Sequence, residues 1–117
     1  MSEKTEVLRG DVVIVRLDPA EGHEMEETRP AVVVQNDVGN ANSSTTIVAP
    51  ATGTYRGYPF EVLVEADDSP FGKDSSVRLD QIRVVSIEKR IHSVVGVLDA
   101  GTMGQVGDAL KLSLGLN

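Results

Sequence analysis

Asp11-Val12-Val13-Ile14-Val15-Arg16-Leu17-Asp18 is the stretch on which the fold turns. Four consecutive β-branched residues lose side-chain freedom in a helix but sit well on a pleated surface. Alternation sets in only toward the end of the run, so it reads as a strand with at least one well-buried face. Ala31 to Gln35, which follows Arg29-Pro30, repeats the pattern. Thr45 to Ala49 and Phe60 to Glu65 do so again, the second with Phe60, Val62 and Val64 on one face and Glu61, Leu63 and Glu65 on the other. Arg83 to Ile87 and Ser93 to Leu98 bring the expected strands to about six. Polar clusters at 19–28, 36–44, 53–59 and 67–74 read as turns. Beyond Asp99, an N-cap residue, Met103, Val106, Leu110 and Leu114 share one face of a terminal helix. The glycines at 101, 104 and 107 weaken its first turns and, lacking a preceding strand and turn, form no dinucleotide fingerprint.

Many short strands followed by one helix predict a mainly β fold, either a small curled barrel or paired sheets. A length of 117 residues accommodates one domain and one core. Within it, residues 1–7 are expected to form a flexible N-terminus. Absence of cysteine removes disulfides, thiolate nucleophiles and cysteine-bound metals, and two histidines, His23 and His92, cannot form a zinc site without carboxylate help. No metal or cofactor is expected. Asp67, Asp68 and Asp74 fit no calcium-loop spacing and read as a solvated turn. No apolar run approaches the roughly 20 residues of a membrane span, and residues 1–8 lack the features of a signal peptide, so a cytoplasmic protein without membrane contact is expected. A net charge of −7 argues, on its face, against a nucleic-acid partner, and 3% aromatic content leaves little room for base stacking.

A longer pattern qualifies that conclusion. Arg9-Gly10-Asp11-Val12 leads into the first strand, which ends Leu17-Asp18-Pro19. Gly22, Glu24 and Arg29-Pro30-Ala31-Val32-Val33-Val34-Gln35-Asn36-Asp37 follow, then Gly39-Asn40. Thr45 to Thr52, Gly57-Tyr58-Pro59-Phe60-Glu61-Val62, Asp80-Gln81-Ile82-Arg83 and Ala109-Leu110-x-x-Ser113-Leu114-Gly115-Leu116 complete it. In order and spacing these segments resemble the MazF/PemK family of toxin endoribonucleases, the mRNA interferases, from about Leu8 to Leu116.

The resemblance implies an SH3-like β-barrel of the CcdB/PemK type with a C-terminal α-helix. It further implies a homodimer with RNA sites near its interface and inhibition by a cognate MazE-like antitoxin. The implied reaction is metal-independent cleavage of single-stranded RNA at short sequences: a 2′-hydroxyl attacks the adjacent phosphorus, which requires a base, an acid and donors for the charged phosphorane. Arg29 matches the family's catalytic arginine, and its planar guanidinium suits two phosphate oxygens. Without the resemblance, Arg29 reads as a surface ion pair with Glu26 or Glu27. Thr52 matches the active-site threonine. Glu24 reads equally as a proton acceptor or as one of four acidic residues in a solvated 21–27 loop. His23, Asn36, Gln81, Arg83 and Arg56 are expected to contact RNA, with Asn36, Asp37, Gln81 and Arg83 also read as the polar framework around the groove, structural or base-reading rather than catalytic.

The acidity is uneven. Residues 1–28 carry 3 basic and 8 acidic groups and residues 59–77 carry 1 and 5, whereas residues 78–92 carry 4 basic and 2 acidic groups. The Glu24 to Arg29 linker departs from the small, Gly-rich residues of many relatives, and its extra carboxylates would weaken RNA binding at low salt unless they face away. A non-catalytic binding module on the same fold, a gyrase poison of the CcdB type or a lapsed relative, is the alternative reading.

Overall fold

The computed structural model describes residues 6–17, 28–68 and 70–116. Among them are seven strands: β1 (Asp11–Arg16), β2 (Thr28–Val33), β3 (Thr45–Thr52), β4 (Glu61–Val64), β5 (Ser75–Arg78), β6 (Arg83–Ser86) and β7 (Ile91–Val97). Helix α1 (Asp37–Asn42) joins β2 to β3, the single turn α2 (Ile87–Arg90) joins β6 to β7, and α3 (Ala100–Ser113) ends the described chain. The strands form one antiparallel sheet in the order β4-β5-β3-β2-β1-β7, with β6 also paired to β3.

The β-branched run at 11–18 does not alternate because β1 is central and both its faces are covered, a pattern usual for strands buried on two sides. Val12 joins Val32, Ala49, Val62, Val77, Leu79 and, from α3, Val106 and Ala109 in one apolar cluster. Val13 and Val15 point the other way, into a second cluster with Ala31, Val33, Val48, Val85, Ile87 and Ile91. Val7 is buried in that second cluster, so packing extends upstream of β1.

The mainly β class and the C-terminal helix agree with the sequence expectation, but the sheet is not closed into a barrel: its two ends, β4 and β7, do not pair. Closure is approached through a loop instead. Pro70, between β4 and β5, packs so tightly on Gly96 of β7 that a Cβ there would lie 2.3 Å from the proline Cβ. The lead-in to β1 is a tight turn in which Asp11 accepts the Leu8 N–H at 2.9 Å and Gly10 adopts φ +97°. Three elements have no counterpart in the sequence reading: α1 within the 36–44 turn, β5 just after the 67–74 turn, and α2 between the last two strands. Strand β5 reads Ser-Ser-Val-Arg and carries too little apolar patterning to stand out.

Helix α3 begins as read, at the Asp99 cap, and Val106 and Ala109 are buried with Met103 and Leu110 packed beside them. Leu114 departs from the expected stripe: it is the C-cap and is exposed.

Gly96→Ala should lower stability by about 1–3 kcal/mol through overpacking against Pro70, read as a reduced midpoint in urea unfolding. The Thr102 N–H, donating to Asp99 Oδ1 at 2.7 Å, holds that carboxyl below the ordinary aspartate range. The stabilisation is therefore complete above the unfolded-state value of about 3.9 and is lost as pH falls through the lower folded value. Asp99→Ser, a cap that does not titrate, should give a flatter acid limb than wild type in stability measured across that range.

Candidate functional site: a fork between strands β2 and β3

Strand β3 is shared lengthwise among three partners. Thr45–Val48 pair with β6, Val48–Pro50 with β2, and Ala51–Thr52 with β5. Two prolines account for the partition. The Val34 N–H donates to Ile47 O at 2.9 Å. Hydrogen-bonded positions in an antiparallel ladder recur at every second residue, so they fall next at Val32 and then at Pro30, which has no N–H to give. The β2–β3 ladder ends there, its last pair being Ala31 with Pro50. Pro50, equally without a donor, sits where β3 changes partner from β6 to β5. Beyond the break, Thr28–Pro30 pair with β1 and Ala51–Thr52 with β5, so the two strands part as a fork.

Arg29 and Thr52 stand on the two prongs. Each lies two residues past the last β2–β3 pair, Ala31 with Pro50. Strand alternation places both on the face of Val15 and Val48, opposite the face covered by α3. Both are half-buried. Arg83, paired with Val48 at the start of β6, lies on the same face, and its guanidinium donates to the carbonyl of Leu17 at the end of β1. The structure thus gathers three of the sequence-predicted residues around one end of the sheet. Glu24 and His23 lie outside the described residues, as do the Glu26 and Glu27 proposed to pair with Arg29. Leu17 and Thr28, which bracket them in the chain, are both at this end.

Asn36 is elsewhere. It follows the opposite end of β2, roughly 20 Å along the strand direction from Arg29. Its side chain caps α1 by accepting the Gly39 N–H at 2.8 Å. Asp37 accepts the Arg9 N–H at 2.7 Å and thereby ties α1 to the lead-in of β1. The neighbouring Asn40, buried, accepts from Thr46 Oγ1 at 2.6 Å and from Gln35 Nε2 at 3.1 Å and donates to Gln35 O at 3.0 Å. These bonds make the Gln35–Asn40 segment a framework. Arg56 is exposed in the 53–60 loop, and Gln81 is half-buried in the turn before β6.

A buried polar cluster next to Thr52 escapes sequence reading. Thr52 pairs with Ser76 of β5, which is fully buried and donates to Glu61 Oε1 of β4 at 3.0 Å. Glu61 Oε2 accepts the Tyr58 N–H at 3.0 Å, and Arg78 Nε lies 3.8 Å from Oε1. Arg78 is in turn held by both oxygens of Asp80, at 2.9 and 2.7 Å, and lies over the Phe60 ring, which stacks on Tyr58. The Asp80 bond, followed by the charges of Asp80 and Glu61, holds the Arg78 guanidinium above its ordinary range despite partial burial. From sequence Glu61 belongs to the outer face with Leu63, yet Glu61 is buried and Leu63 is 38% exposed. The residues that bury it, Ser76 and Arg78, come from another strand, so only the Ser-x-Arg alternation of β5 gave any sign.

No helix among the described residues is long and apolar enough to cross a membrane, and no group of three or more potential metal ligands occurs among them. The antiparallel sheet backed by a terminal helix is a fold this chain shares with solved MazF toxins. The Deinococcus radiodurans MazF is 25% identical over 96% of this chain and 99% of its own, with a TM-score of 0.81. An endoribonuclease from a mycobacterial species, solved with its cognate antitoxin, is 24% identical over 95% and 97%, with a TM-score of 0.79. A MazF toxin of Mycobacterium tuberculosis is 23% identical over 92% and 98%, with a TM-score of 0.76. Residues 8–114 match the PemK-like, MazF-like toxin of type II toxin-antitoxin systems, and the chain belongs to that family.

Because its carbonyl oxygen caps α1, Asn36→Ala should cost about 1 kcal/mol of stability. Asn36→Ser, which retains a capping oxygen, should restore most of it, as urea unfolding would register.

Proposed function

We propose that this protein is a toxin endoribonuclease that cuts single-stranded RNA at short sequences without a metal ion and is neutralised in the cytoplasm by a cognate MazE-like antitoxin. The observation that carries the reading is the fork: in a chain of this family, Arg29 and Thr52 stand on the same face where β2 and β3 part. Arg29 supplies a planar pair of donors to the non-bridging oxygens of the scissile phosphate, and the Thr52 hydroxyl supplies a third donor. Glu24 takes the proton from the 2′-hydroxyl. The new O2′–P bond forms as the P–O5′ bond breaks, the departing 5′-oxygen takes a proton from water, and a 2′,3′-cyclic phosphate and a 5′-hydroxyl remain. Donors fixed before the reaction are worth most where charge builds up, on the phosphorane oxygens.

Arg83, Gln81, Arg56 and His23 make the remaining RNA contacts in this reading, with Arg83 nearest the fork, whereas Asn36 serves as the cap of α1. The active species is a homodimer, and the antitoxin occupies the RNA groove. The mycobacterial relative solved with its cognate antitoxin supports that partner class.

Incubation of a defined single-stranded RNA with the protein in excess EDTA should yield discrete fragments with cyclic-phosphate and 5′-hydroxyl ends. Arg29→Ala should slow cutting by about 100-fold or more, the usual consequence of losing a transition-state donor. Thr52→Val should slow it by about 10-fold. An inert wild type, or equal cutting by Arg29→Ala, would refute the proposal.

A further inference from the structure

We infer that Glu61 is a positioning residue for the fork, acting through Ser76 on Thr52; the inference rests on the ribonuclease reading above. The Glu61 side chain has no exposed surface. Its two oxygens are taken up by donors from two different places, Tyr58 N–H in the preceding turn and Ser76 Oγ in β5, each at 3.0 Å. Ser76 has one hydroxyl proton, and donating it to Glu61 selects one rotamer for that side chain. Ser76 is also the direct partner of Thr52 across the β3–β5 ladder. Directly opposed residues have Cβ atoms about 4.5–5.5 Å apart, so the conformation of one limits that of the other.

Thr52 is β-branched, with restricted χ1 freedom of its own. A neighbour locked in place on the β5 side leaves its hydroxyl fewer directions to point, and the parting of β2 and β3 leaves the Arg29 side open. Glu61 therefore orients the Thr52 hydroxyl toward the fork without touching RNA, and it ties that orientation to the β4–β5 hairpin. A carboxylate in this role serves better than an apolar residue of the same volume, since packing alone would leave the Ser76 hydroxyl free to rotate.

The test is a double-mutant cycle in single-turnover cleavage of a defined single-stranded RNA, with affinity measured separately on the same RNA carrying 2′-deoxyribose at the cut site. Ser76→Ala and Glu61→Gln should each lower the rate constant by about 3- to 5-fold, less than loss of the Thr52 hydroxyl itself, while changing affinity less than about twofold. In the Thr52→Ala background the effect of Ser76→Ala should shrink to less than about twofold, because the hydroxyl being oriented is gone. Thermal unfolding checks that each variant is folded. Should Ser76→Ala fail to fold, Ser76→Cys, close in volume, carries the same cycle. Additive losses in the cycle, losses in affinity rather than rate, or a Ser76→Ala rate within twofold of wild type would overturn the positioning role. An inert wild type would instead sink the ribonuclease reading and the positioning role with it. A wild type that cuts, an Arg29→Ala variant that does not, and an additive cycle would remove the positioning role alone.

Discussion

Strand β3 has eight residues and must satisfy three partner strands, and the two prolines on and beside it decide which partner holds which part. A sheet with every donor in place would zip β2 to β3 along their whole length and bury the ends of both. Pro30 withholds the N–H needed at the next hydrogen-bonded position of that ladder, and each such bond contributes only about 0.5–1.5 kcal/mol net. The loss is small beside an apolar core containing many fully buried valines, each worth roughly 1.5 kcal/mol or more. The strands can therefore part locally without endangering the fold, and the parting exposes a half-buried arginine and a half-buried threonine on one face.

That opening is bounded on its far side by a charged group with no access to water. Burying the Glu61 carboxylate costs several kcal/mol in lost hydration. The cost is offset by two hydrogen bonds and by Arg78, since bonds to a charged acceptor return about 1.5–3 kcal/mol each. The balance is close, so the group adds little net stability. Its consequence is geometric: it binds the 58–60 turn, β4 and β5 into one unit next to Thr52.

Much of this architecture is written in the sequence where the pattern is local. The Val12–Val15 run marks a strand with at least one well-buried face, Asp99 marks the start of α3, and Arg9-Gly10-Asp11 marks the tight lead-in to β1. Elements defined by distant partners are not legible in the same way. Strand β5 is Ser-Ser-Val-Arg, and only its neighbours β3 and β4 make its serines buried. The burial of Glu61 has the same origin. Asn36 shows the reverse effect: family order places it in the same stretch as Arg29, but β2 runs straight between them, so the two lie at opposite ends of a strand and Asn36 is a helix cap.

Charge counted by segment suffers from the same confusion of sequence neighbours with spatial ones. Residues 78–92 hold four cations against two anions, and by that count offer a positive surface to RNA. In the fold Arg78 is clamped between Asp80, from its own segment, and Glu61, from the acidic 59–77 segment. Its charge is spent inside the protein. With a net charge of −7 over the whole chain, long-range attraction of a polyanion is weak. In the proposed reading, recognition of RNA at the fork comes from contact, within a Debye length of about 8 Å, by Arg29 and Arg83 on the sheet face opposite α3. A small number of well-placed cations on a locally opened sheet can discriminate among phosphate geometries in a way that a broad basic surface cannot, because each contact is lost when the backbone is misaligned.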